Sequence, residues 1–173
     1  RISNATSADD ILALHQTHAK HFDAWHAGNA YHKLGRHVRA VGTPDAARWR
    51  LTNARRLTAL AATAHDLLAE CGPQQLANIS QGAAHAGIFD ARLAAAIARH
   101  ADAATLARCT PQHLANLSWA FATARVADEA LFDAIAHAAA PRLIRDFNAQ
   151  ELASIAWAFA RAVAGGGALA EPL

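Results

Sequence analysis

Residues 72–85 read GPQQLANISQGAAH, residues 110–123 read TPQHLANLSWAFAT and residues 148–161 read NAQELASIAWAFAR, three variants of one phrase whose starts lie 38 residues apart. They agree as a set at Gln74, Gln112 and Gln150, at Leu76, Leu114 and Leu152, at Ala77, Ala115 and Ala153, and at Ile79, Leu117 and Ile155. Self-similarity at a fixed period of this length is the signature of a stacked-repeat architecture. A more degenerate copy, DAWHAGNAYHKLGR at residues 23–36, aligns Asn29 with Asn78 and Leu34 with Ala83; its spacing of 49 to the next unit requires an insertion of 11 residues.

Each unit divides into two helices. The first opens on Gly72, Thr110 or Asn148 as its cap, with Pro73 or Pro111 at the first helical position, where a missing N–H costs nothing. Apolar side chains then recur three and four residues apart: Leu76, Ile79 and Ala83; Leu114, Leu117 and Phe121; Leu152, Ile155 and Phe159. That periodicity predicts one buried stripe per helix. A second helix is expected over 90–107 and again over 128–145, with Pro141 kinking or dividing the latter. Upstream, Ser7 with Asp10 three residues later predicts a capped helix carrying Ile11, Leu12 and Leu14, and another is expected over 53–70.

Composition points the same way. Of 173 residues 49 are Ala, only 9 are Gly and 5 Pro, and 53% are hydrophobic. That mixture favours helix and excludes a disordered or collagenous chain. No apolar run is long enough for a membrane span, and two Cys cannot frame a disulfide scaffold. A two-helix unit cannot bury its apolar face alone, so an all-α solenoid of stacked repeats is expected. Its parts are N-terminal helices with a degenerate repeat (1–71), full units over 72–109 and 110–147, and a truncated unit over 148–173. Small residues at Gly82, Ala120 and Ala158 keep neighbouring helices close. The chain opens at Arg1, has no Met, and meets Gly165, Gly166 and Gly167 soon after a unit begins at Asn148, so an internal piece of a longer protein is expected.

The pairing of Leu-Ala-Asn with Trp-Ala, as in LANLSWAFA at 114–122 and LASIAWAFA at 152–160, resembles the octotricopeptide repeat, related to the helical regions of FAST-kinase and RAP-domain proteins. The likeness extends over about 100 residues, from Gly72 to Arg161; the first 70 match loosely, and Gln81 stands where the later units have Trp119 and Trp157. The resemblance implies sequence-selective binding of single-stranded RNA in a chloroplast or mitochondrion, used in transcript stability, processing, splicing or translation, alongside other proteins of an RNA-processing complex. No RAP domain is visible.

Histidines crowd the N-terminal fifth, and His15 with His18 at i, i+3 has a spacing that suits a shared metal, with Asp9, Asp10 and Asp23 nearby in sequence. Without a neighbouring Cys, exposed, capping or packed histidines are the better reading, and no metal or cofactor is expected. Cys71 and Cys109 occupy equivalent places, filled by Phe147 in the next unit, so stacking would hold them too far apart to bridge. Three Asn-X-Ser/Thr triplets begin at Asn4, Asn78 and Asn116; the last two fall inside expected helices and nothing else suggests secretion. No nucleophile elbow, phosphate loop or carboxylate pair is present, so no enzyme and no catalytic residue is expected.

Net charge is only +2, yet Lys33, Arg36, Arg39, Arg48, Arg50, Arg55 and Arg56 face the single acid Asp45, a local balance of +6 against −4 for the remainder. A segregated basic segment suits phosphate contact. In helical-repeat RNA binders, side chains near the start of each unit's first helix meet one base per unit. Here Gln75, His113 and Glu151 vary, followed one turn on by Asn78, Asn116 and Ser154, while the Leu stripe stays fixed. Amide, imidazole, carboxylate and hydroxyl groups can each read a base edge. Trp119 and Trp157 could stack bases, though a core place is the stronger expectation. The alternative is a protein-interaction solenoid presenting the same groove to a peptide or partner domain.

Overall fold

The computed structural model describes residues 2–126, 128–143 and 145–166, and every regular element among them is helical. The order is α1 (Ala8–His18), α2 (Ala24–Ala40), α3 (Thr43–Thr52), α4 (Ala54–Leu67), α5 (Pro73–Ala86), α6 (Ala91–His100), α7 (Ala103–Ala107), α8 (Pro111–Thr123), α9 (Glu129–Ala139) and α10 (Ala149–Gly166). The expected caps Ser7, Thr110 and Asn148 are in place. Ser7 and Asp10 form a reciprocal capping box, and Asp23, Asp90, Asp102 and Asp128 each accept a backbone N–H of the first turn.

The helices that open successive units pack on one another in sequence order, α2 on α5, α5 on α8 and α8 on α10. The helix that carries the degenerate copy at 23–36 thus packs on α5, as α5 packs on α8. That helix starts at the Asp23 cap, and α3 and α4 occupy the longer spacing before α5. α2 and α5 run parallel, because Gly28 lies against Gln75 and, two turns on, Gly35 against Gly82. The approach is close enough that a Cβ on Gly82 would sit 2.1 Å from the Tyr31 carbonyl oxygen.

The predicted stripe forms the core of α5 and α8: Leu76, Ile79, Ala83, Leu114, Leu117 and Phe121 are buried, joined by Leu93, Ile97, Leu106, Leu131 and Ile135 from the second helices. Each large side chain so buried stabilises by about 1.5–3 kcal/mol. Equivalent helix ends also match. α5 stops at Gly87 (φ +67°) and α8 at Arg125 (φ +57°), where Ile88 N–H bonds the Ala83 carbonyl and Val126 N–H the Phe121 carbonyl. These are left-handed C-terminal caps, for which Gly is the unstrained residue.

Three expectations need correction. The helix expected over 90–107 is not continuous: Asp102 caps a new helix after Ala101, so it divides into α6 and α7, whereas the break expected at Pro141 is present as a 3₁₀ turn over Ala140–Arg142. Leu152 is not buried as Leu76 and Leu114 are. α10 packs against α8, and its opposite flank, with Leu152, Ala153, Ala156 and Ala160, is exposed where the matching flanks of α5 and α8 are covered. Finally, Gly165 and Gly166 continue α10, while Gly167 and the rest of the truncated unit through residue 173 lie outside the described residues.

Candidate nucleic-acid interface

Helical periodicity sorts each unit's first helix into faces. The Leu stripe of α5 and α8 points into the core. One flank of α5 meets α2 through small residues, Gly82 lying against Tyr31 and Gly35. The outward face is then left with four positions per unit: Trp25, Asn29, His32 and Arg36 on α2; Gln74, Asn78, Gln81 and His85 on α5; Gln112, Asn116, Trp119 and Thr123 on α8; Gln150, Ser154, Trp157 and Arg161 on α10. All are half-buried or exposed.

Contacts run across this face from helix to helix. The Gln81 Nε2 group donates to Asn116 Oδ1 at 2.9 Å. The His85 and Trp119 rings lie with centroids 4.5 Å apart, tilted by 44°. Arg39 and His32 of α2 are close enough to His85 for their charges to oppose its protonation, and burial, the largest cause, holds its imidazole below the ordinary 6.5. On α10, the Arg161 guanidinium lies 5.6 Å from the centre of the Trp157 ring, and its Nε donates to the Ala122 carbonyl of α8 at 3.2 Å. The expectation of core tryptophans is overturned: Trp119 is half-buried and Trp157 is 43% exposed.

Of the residues singled out as base readers, Asn78, Asn116 and Ser154 share this face. Gln75, His113 and Glu151 belong to the flank between units and have structural partners. Gln75 packs on Gly28. His113 Nδ1 accepts the Thr110 N–H at 3.3 Å, and Glu151 Oε2 accepts the Asn148 N–H at 2.9 Å, each closing a capping pair.

The basic segment is split among several places. Arg36 and Arg39 are exposed on α2, Arg36 on the outward face and Arg39 beside it, where its charge reaches His85. Lys33 donates to the Ser3 and Ala5 carbonyls at 2.7 and 3.3 Å and ties down the N-terminal turn. Arg50 donates to the Ala86 carbonyl at the end of α5, and Arg56 pairs with Asp9 at 3.1 Å and with Asn53 at 2.8 Å. Arg48 and Arg55 are exposed on α3 and α4; Arg48 lines a groove of about 780 Å³ that also holds Asp9 and Asp45. Sequence proximity grouped seven cations that the helices then turn in different directions.

His15 is buried on α1, with Nε2 2.9 Å from Thr63 Oγ1, while His18 is exposed, so the i, i+3 pair does not converge. Cys71 and Cys109 are unbridged, and burial pushes both thiols up to about 11. Among the described residues no helix is long and apolar enough to cross a membrane. Comparison with known proteins finds no matching family model, no matching curated protein and no matching solved structure.

Proposed function

We propose that the chain is an α-solenoid segment that binds single-stranded RNA along the outward face of α2, α5, α8 and α10, within a factor controlling organelle transcripts. One observation carries this reading: four helices packed in order present one layer of rings, amides and guanidinium groups, with His32 and Arg36, Gln81 and His85, Asn116 and Trp119, and Trp157 and Arg161 side by side. Single-stranded nucleic acid is held by such a combination of stacking rings and cations.

The test is a set of affinities for labelled random-sequence RNA between about 50 and 200 mM salt. Replacing Arg36 and Arg39 with Gln removes two cations and is expected to lower the slope of log affinity against log salt by about 1.4, the value for two phosphates of a single strand. Absence of salt-dependent RNA binding by the parent protein would defeat the proposal.

A further inference from the structure

Resting on that RNA reading, we infer that Trp119 and Trp157 are base-stacking residues, one nucleobase per unit, and that His85 and Arg161 are the positioning residues that hold the two indoles. The two tryptophans are equivalent in the repeat, yet neither is among the buried residues of the core. A large apolar ring left on a polar face needs a reason, because burying it would be favourable.

Each ring has a partner that fixes it. For Trp119 it is the His85 imidazole from the preceding helix, 4.5 Å away between centroids. For Trp157 it is Arg161, whose guanidinium lies 5.6 Å from the ring centre and whose Nε is bonded to the Ala122 carbonyl at 3.2 Å. An arginine anchored to a backbone carbonyl stays beside the indole, where cation–π attraction orients the ring. Trp157 nevertheless remains 43% exposed, so it retains surface on which a base can stack. Stacking of this kind tolerates any base, since every base has a π face.

Selectivity then falls to the polar side chains one turn before each ring, Asn116 and Ser154. Asn116 precedes Trp119, and its Oδ1 is engaged by Gln81, which leaves the Asn116 amide N–H groups and the Gln81 carbonyl oxygen to face a base edge. Ser154 precedes Trp157 with one hydroxyl only. The α8 unit is therefore the more selective of the two.

The experiment follows single-stranded RNA carrying 2-aminopurine, whose fluorescence is quenched on stacking, bound to the parent protein and to Trp119→Leu, Trp157→Leu and Trp157→Phe. Each Leu variant is expected to bind about 5- to 100-fold more weakly, with less quenching and an unchanged salt slope, and Trp157→Phe to recover part of the loss. If Trp119→Leu fails to fold by circular dichroism, Trp157→Leu, on an exposed position, decides alone. Full affinity and quenching in Trp157→Leu, with RNA still bound by the parent, overturn the stacking assignment and leave the RNA reading in place. No RNA binding by the parent removes both.

Discussion

Gly82 shows how much a single hydrogen atom decides at the residue scale. A Cβ there would meet the Tyr31 carbonyl carbon at 2.3 Å and oxygen at 2.1 Å, both backbone atoms that cannot turn aside. Gly82→Ala is therefore expected to destabilise by about 2 kcal/mol or more: overpacking outweighs the gain of about 1 kcal/mol in helix propensity. Gly28→Ala is the control, since its Cβ would meet Gln75 at 3.3 Å, partly on a movable side chain, and it should change stability by less than about 1 kcal/mol. Urea titration of both variants checks the contrast. Equal losses would show that α2 and α5 are not so closely seated.

For whole elements, the useful comparison is between the same residue on α8 and on α10. Leu114 is fully buried and Leu152 is 37% exposed, although the sequence around them is nearly the same. Leu114→Ala should cost about 2–5 kcal/mol through the cavity it leaves. Leu152→Ala should cost less than about 1.5 kcal/mol, because only part of the side chain leaves a packed environment. Denaturant midpoints with unchanged slopes would read the two values directly, and similar losses would mean that both flanks are covered alike. Only the packing of a following helix separates the two leucines, and no local pattern in 148–161 announces it.

Taken as a whole, the molecule has an acid-sensitive set of histidines on four different helices. His15, His32, His85 and His113 are all held below the ordinary 6.5, with burial the leading cause in each, and Arg36 and Lys33 adding to it at His32, and Arg39 and His32 at His85. A group whose folded pKa is depressed binds fewer protons in the native than in the unfolded chain. Stability is then fully present above the unfolded value and declines as pH falls through 6.5 toward the folded values. At His113 the loss has a visible route, since a protonated Nδ1 can no longer accept the Thr110 N–H at the start of α8. The urea midpoint is expected to fall steadily between about pH 7.5 and pH 5, and a His15→Gln substitution to flatten that fall. A midpoint that rises or stays level over this interval would contradict the burial of these rings.

What the sequence by itself determined is whatever depends on local, periodic chemistry. The 38-residue register, the Leu stripe of α5 and α8, the Ser7–Asp10 capping box and the absence of a disulfide all follow from residues near one another in the chain or repeated at a fixed spacing. Tertiary structure alone decided what depends on the angle of one helix against the next. It turned Trp119 and Trp157 outward and sent Lys33, Arg50 and Arg56 to carbonyls and acids 28 to 47 residues away. A buried stripe needs only a period of 3.6, but the face opposite it acquires meaning only when a neighbouring helix covers one side and leaves the other to solvent.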